Sequence, residues 1–261
     1  MKYRAWIYTS GLLLALLLFC LIAAHSFGRT AFNTGHYRIA QILYTMAAYT
    51  GNARSQSNLA GIYAEGYGQE KDYAAAVKWY QRAVDNDDAA AKYNLAIFYE
   101  NGIGVSQDFG ESMRLLESAA AMGDFGSAYR LGVLLSEDHA GLPKDIRSAI
   151  YWYRKAAVAG YSSAQYKLGN FYMDGDSVPK DIKTAAFWYA KAAALGHPLA
   201  QLEMSDIYLS GAIGKRDFAK AFQALLAAKF HEVTADVAAV RIAAACATAE
   251  SEQELKLCAQ L

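Results

Sequence analysis

A pattern of twelve residues returns along this chain at a nearly fixed interval, and no other feature limits its fold as strongly. The pattern, D-[YFI]-x-x-[AS]-x-x-[WLA]-[YL]-x-x-A, starts at Asp72, Asp108, Asp145, Asp181 and Asp217, with spacings of 36, 37, 36 and 36 residues. Self-similarity at a period of roughly 20 to 50 residues marks a solenoid, because a unit that short cannot bury its apolar face alone and stacks on its neighbours. The stretch from Ala164 to Gly196 shows what one unit holds. Two apolar runs of helical period are separated by a loop carrying Gly175, Pro179 and Asp181, and Gly196 closes the second run. The expectation is an all-α chain of helix-turn-helix repeats.

His36 stands 36 residues before Asp72, and Tyr37, Ala40, Tyr44 and Ala47 fall in register with Tyr73, Ala76, Tyr80 and Ala83, so the series opens on a half repeat. Five full repeats follow at about 53–88, 89–124, 125–161, 162–197 and 198–232, the third lengthened by one residue in the turn Ser136 to Leu142. After Phe230 the pattern lapses, and 232–261 is expected to form capping helices over the end of the stack. The organisation is then an N-terminal segment 1–25, a linker 26–35, repeats 36–231 and a cap 232–261.

Each repeat carries its own punctuation. The five aspartates precede the second helix, where a carboxylate accepts from free backbone N–H groups and faces the positive end of the helix dipole. Asp108 with Glu111 has the spacing of a capping box. Gly51, Gly123, Gly160 and Gly196 follow the second helix and suit a left-handed cap. Small residues at Ala60, Ala96, Gly132, Gly169 and Ser205 let two helices approach, beside Leu59, Leu95, Leu131, Leu168 and Met204. Trp79, Trp152 and Trp188, each followed by tyrosine, are expected to pack one unit against the next.

The N-terminus reads as an address. Lys2 and Arg4 precede an uncharged run of 20 residues, Ala5 to Ala24, long enough as a helix to cover a hydrocarbon core of about 30 Å. It is either a retained transmembrane anchor or a cleaved signal peptide with Ala24 and Ser26 at the cleavage site. The location expected is the bacterial inner membrane, single-pass with the repeats in the periplasm, or the periplasm itself after cleavage. Cys20 is read as a buried apolar cysteine, since Phe19 stands where a lipoprotein signal needs a small residue.

Chemistry finds little footing. Lys plus Arg and Asp plus Glu number 25 each, so no net field draws nucleic acid. The five histidines include no pair three or four apart, so no metal site and no cofactor are expected. Ser177 and Lys180 match S-x-x-K, but Pro179 and Asp181 put them in a loop, where the one-turn spacing that such a nucleophile needs is lost. The chain is not expected to be an enzyme. Cys246 and Cys258, twelve apart on the last two helices, either form a disulfide closing the terminal hairpin or remain two buried thiols.

Binding is expected on the first helices of the repeats. The stripe turned away from the seam contains Asn58, Asn94, Arg130, Lys167 and Glu203, with Asn170 and Asp206 three residues on in the last two repeats. Arg130 and Lys167 are the positions for contact with an acidic or carbonyl feature of a protein partner.

The motifs A-Q-Y-K-L-G-x-x-Y at Ala164 to Tyr172, V-P-K-D at Val178 to Asp181 and W-Y-x-K-A-A at Trp188 to Ala193 resemble the Sel-one-like repeat, a branch of the tetratricopeptide superfamily. The resemblance covers 36–231 and departs at Leu115-Leu116 and Ala224-Leu225, where Trp-Tyr is replaced. It implies a right-handed α/α superhelix used for protein–protein contact, often in the bacterial envelope, with no catalytic residue to carry over. The function expected is a membrane-tethered, periplasm-facing adaptor or regulator. The alternatives are an immunity protein that neutralises a toxic effector, a part some members of this family play, and a cell-wall enzyme.

Overall fold

The apolar periods become paired helices. The computed structural model describes residues 23–175 and 177–259, and among them the chain is helical in fourteen segments. Helix α1 is described over 23–33. It is followed by α2 (Tyr37–Tyr49), α3 (Ala53–Glu65), α4 (Tyr73–Asp85), α5 (Ala89–Asn101), α6 (Phe109–Ala121) and α7 (Phe125–Leu135). Then come α8 (Ile146–Val158), α9 (Ser162–Asp174), α10 (Ile182–Ala194), α11 (Pro198–Ser210), α12 (Phe218–Lys229), α13 (Ala235–Ala247) and α14 (Glu252–Cys258). The chain divides within α7 into two compact units, the second beginning at Ala128 and the first also holding the turn His139–Leu142.

The helices start where the aspartates stand. Asp72, Asp108, Asp145 and Asp217 each accept from the backbone N–H three residues on, at 2.9 to 3.1 Å, and Asp181 accepts from those of Lys183 and Thr184. Such a side chain satisfies a donor that the helix itself leaves unpaired. The capping box at Asp108 is only half made, because both Glu111 oxygens take Arg114 at 2.6 and 2.7 Å. A complete one stands at Ser251 and Glu254, opening α14. His36 occupies a cap position without capping, its ring bonding the Thr34 hydroxyl at 2.9 Å instead.

The seam between paired helices is buried. Leu59, Leu95, Leu131 and Leu168 are fully buried, with Met204 nearly so. Gly132 lies under the Tyr153 ring and Gly169 under the Tyr189 ring, each so close that a Cβ would collide with it. A second device ties three of the repeats to the helix before. Gln56, Gln165 and Gln201 donate to the carbonyls of Ala48, Ala157 and Ala193 near the end of the preceding helix, at 3.0, 2.9 and 3.5 Å. The third repeat has Ala128 at this position, and in the second Lys92 stands there. Its ammonium, on a side chain only 8% exposed, pairs with Asp87 at 2.7 Å. Asp87 in turn holds a left-handed φ of 57°, the conformation that Gly51, Gly123, Gly160 and Gly196 adopt elsewhere.

The N-terminal expectations need correction. Residues 26–35, expected as a linker, are helical through 33, because Ala24 and Gly28 are buried and Gly28 lies beneath the Tyr44 ring. His25 anchors the same helix to α3 through Ser55 at 2.8 Å. Among the described residues no helix is long and apolar enough to cross a membrane. The assignment to the inner membrane with periplasmic repeats therefore does not stand: the end of the apolar run that the structure describes packs on protein. The rest of that run, with Cys20 and the cleavage question, lies outside the described residues.

Candidate binding groove

A residue beside a buried one on a helix points about 100° away from it, so Asn58 next to Leu59 and Asn94 next to Leu95 leave the seam. In the first unit both asparagines line one concavity of about 250 Å³, together with Phe32, Tyr44, Glu65, Tyr67 and Tyr80. Burial pushes the Tyr44 phenol up from its ordinary range, while its hydrogen bond to Asn58 and the charge of Arg29 act the other way. Burial and then the Glu65 carboxylate push Tyr80 up to about 12. Asn58 is thus already engaged with the scaffold, whereas Asn94 reaches the concavity from the next repeat.

The second unit treats its expected groove residues unequally. Lys167 on α9 is exposed, and Arg130 on α7 is half-buried, near enough to Tyr153 for its charge to act on that phenol. Asn170 accepts the Tyr189 hydroxyl at 2.8 Å. Asp206 forms an ion pair with Arg241 at 2.7 Å, and the same guanidinium nitrogen donates to the Leu202 carbonyl at 3.1 Å. Glu203 is half-buried, and burial raises its carboxyl, with Arg241 opposing and Asp206 and Asp174 adding to the rise. The structure therefore joins Glu203 and Asp206 around Arg241, a residue that sequence reasoning left in the cap. Its signal was available: Arg241 is the one basic residue in the apolar run of α13.

Two of the histidines, the S-x-x-K pair and the two cysteines stand elsewhere in the scaffold. His139 stacks on Phe109 with centroids 4.3 Å apart. His197 accepts from the Ala200 N–H at 3.3 Å and stacks on Tyr166, and burial, followed by His231, lowers its pKa. Ser177 and Lys180 lie in the turn between α9 and α10. Cys246 and Cys258 are joined as a disulfide across α13 and α14, with Cα atoms 5.7 Å apart.

Paired helices at a 36-residue period, capped by aspartate and sealed by leucine and small residues, define an all-α repeat scaffold of the protein-interaction type. The model of the Sel1 repeat matches residues 53–88, 89–124, 126–161, 162–197 and 198–223, and the chain belongs to that family. A Sel1 repeat protein from Oxalobacter formigenes is 32% identical over 78% of this chain and 83% of its own, with a TM-score of 0.71. A protective antigen of uropathogenic Escherichia coli with the same fold is 27% identical over 80% of this chain, with a TM-score of 0.73; the chain spans 45% of that protein's length. An immunity protein from Pseudomonas aeruginosa aligns over 72% of both chains at 21% identity and a TM-score of 0.47, a likeness that carries no argument about partners. No curated protein matches the chain.

Proposed function

We propose that this chain is a non-catalytic scaffold that holds a protein partner on the first-helix side of its repeats. The observation that carries the reading is a single concavity lined by Asn58 and Asn94, one from each of two successive repeats. The seam leucines and capping aspartates are consumed in holding the helices, but the neighbouring positions change from asparagine to Arg130, Lys167 and Glu203 along the series. Polar residues that differ where the repeat makes no demand are what a surface selective for one partner requires.

Arg130 and Lys167 supply donors to an acidic or carbonyl feature of that partner in the second unit. Pull-down from an extract of the source cells with the full chain identifies the partner by mass spectrometry. The double reversal Arg130→Glu with Lys167→Glu is then expected to weaken its binding by about tenfold or more. Equal binding by the reversed chain, folded as judged by circular dichroism, removes these two residues from the interface.

A further inference from the structure

Four aromatic rings and one carboxylate meet in the concavity of the first unit. Phe32 comes from α1, Tyr44 from α2, Tyr67 from the turn after α3 and Tyr80 from α4, while Glu65 is the last residue of α3. Phe32 and Tyr67 meet edge to face at 5.1 Å, and Tyr37 stacks on Tyr67 at 5.0 Å. The most exposed of the four lining rings, Tyr67 at 38%, is thereby held in place. The repeat does not demand this set. Tyr67 falls in register with Ile103 of the next repeat, Glu65 with Asn101, and Phe32 precedes the repeats altogether.

The electrostatics of the concavity favour a cation. Aromatic rings attract positive charge through their faces, and a carboxylate beside them adds a charge-assisted acceptor. Glu65 also disfavours ionisation of Tyr80, so negative charge already presses on this site. Lys71 stands 3.6 Å from Glu65, but the two side chains are 51% and 60% exposed, and a pair so open to water contributes little and is readily exchanged. Arg29 acts on the Tyr44 phenol from outside the lining residues. The volume of about 250 Å³ falls below the roughly 300 to 1,000 Å³ of pockets for whole cofactors and suits a single side chain.

We propose that this concavity receives a basic side chain of the protein partner, arginine in preference to lysine. A planar guanidinium stacks on an aromatic ring and offers two parallel donors to Glu65, whereas an ammonium is a more strongly hydrated point charge. Asn94 contributes an amide to the backbone that carries the side chain. The inference rests on the scaffold reading and narrows it to one class of contact.

The test uses the full chain, labelled with nitrogen-15, and acetyl-Gly-Gly-X-Gly-Gly-amide peptides in which X is arginine, lysine or norleucine. The arginine peptide is expected to shift the amide signals of Asn58, Gly61 and Asn94 saturably in the millimolar range, lysine more weakly and norleucine not at all. Glu65→Gln is expected to weaken the arginine peptide about fivefold or more, and Tyr67→Leu to weaken it as well, with the amide spectrum otherwise preserved. Norleucine binding as well as arginine, an unchanged response in Glu65→Gln, or no shift from any peptide at tens of millimolar overturns the proposal. Those outcomes leave the scaffold reading standing, because that reading is tested on the intact partner and at Arg130 and Lys167 in the other unit.

Discussion

Gly132 and Gly169 stand where a tyrosine ring from the paired helix covers the backbone, and that close approach is why no side chain fits there. In two other repeats, where the small residue is Ala96 or Ser205, the second helix carries Leu116 or Leu225 in place of tyrosine, whereas in the first Ala60 stands in register with Tyr80. Gly169→Ala is therefore expected to destabilise the chain by about 1 to 3 kcal/mol through overpacking, read as a lower Tm in thermal melts followed by circular dichroism. Adding Tyr189→Leu should recover most of the loss, and a double variant as unstable as the single one would contradict the steric account. That these positions are small was legible in the sequence. The ring that makes them small, and the Asn170 bond that fixes that ring through the Tyr189 hydroxyl, were not. Both involve residues about twenty positions away on another helix.

Helix ends in this chain are local events, and for that reason they could be read ahead of the structure. An aspartate before an apolar run meets its own N–H donors three residues on, whatever the rest of the chain does. The exceptions arise where a side chain has a rival partner, as Glu111 has Arg114 and His36 has Thr34. Helix α14 shows the opposite dependence. With seven residues and none buried, it is too short to persist by its own hydrogen bonds. It is held by the disulfide, by Leu257 and Cys258 against the cluster around Leu225 and Ile242, and by Arg216, which reaches Glu254 at 3.6 Å and the Thr248 carbonyl at 3.0 Å. Replacing both Cys246 and Cys258 by serine removes a loop constraint worth about 3 kcal/mol. Hydrogen exchange should then show protection lost in α14, with α3 to α6 unchanged, because coupling in a stack runs between nearest neighbours. Protection lost equally in α3 to α6 would mean that the chain folds as one cooperative block.

At the scale of the molecule, the buried phenols make both units sensitive to alkali. Burial pushes Tyr80 in the first unit and Tyr153 in the second up to about 12, and raises Tyr189 as well. A folded-state pKa above the unfolded one means that the folded chain retains the proton longer. The stability so conferred is fully present below the ordinary phenol range near pH 10 and is lost as pH rises through about 12. Tm is thus expected to fall steeply above about pH 10, and ultraviolet titration of the 19 tyrosines should show a late fraction that ionises together with unfolding. A single smooth titration with an unchanged Tm would refute it. The capping carboxylates act at the other end. Bonds from Ser148, Thr184 and Lys220 hold Asp145, Asp181 and Asp217 below their ordinary values, so their contribution is present above that range and is lost only as pH falls through the lowered pKa.

The amino-acid sequence by itself determined the period, the helix pairs, the capping aspartates and the seam leucines, since each rests on helical geometry and on contacts within a few residues. It also placed Cys246 and Cys258 on neighbouring helices. Tertiary structure decided what the polar side chains of the groove are free to do. Asp206 is held by Arg241, 35 residues away, Asn170 by Tyr189, and Asn58 by Tyr44, while Asn94 and Glu65 open on a concavity walled partly by Phe32 of a helix that the sequence presented as a linker. The physical reason is range. A helix cap finds its partners within one turn, but the environment of a groove residue is set by whichever distant side chain packing brings beside it, and no periodicity encodes that.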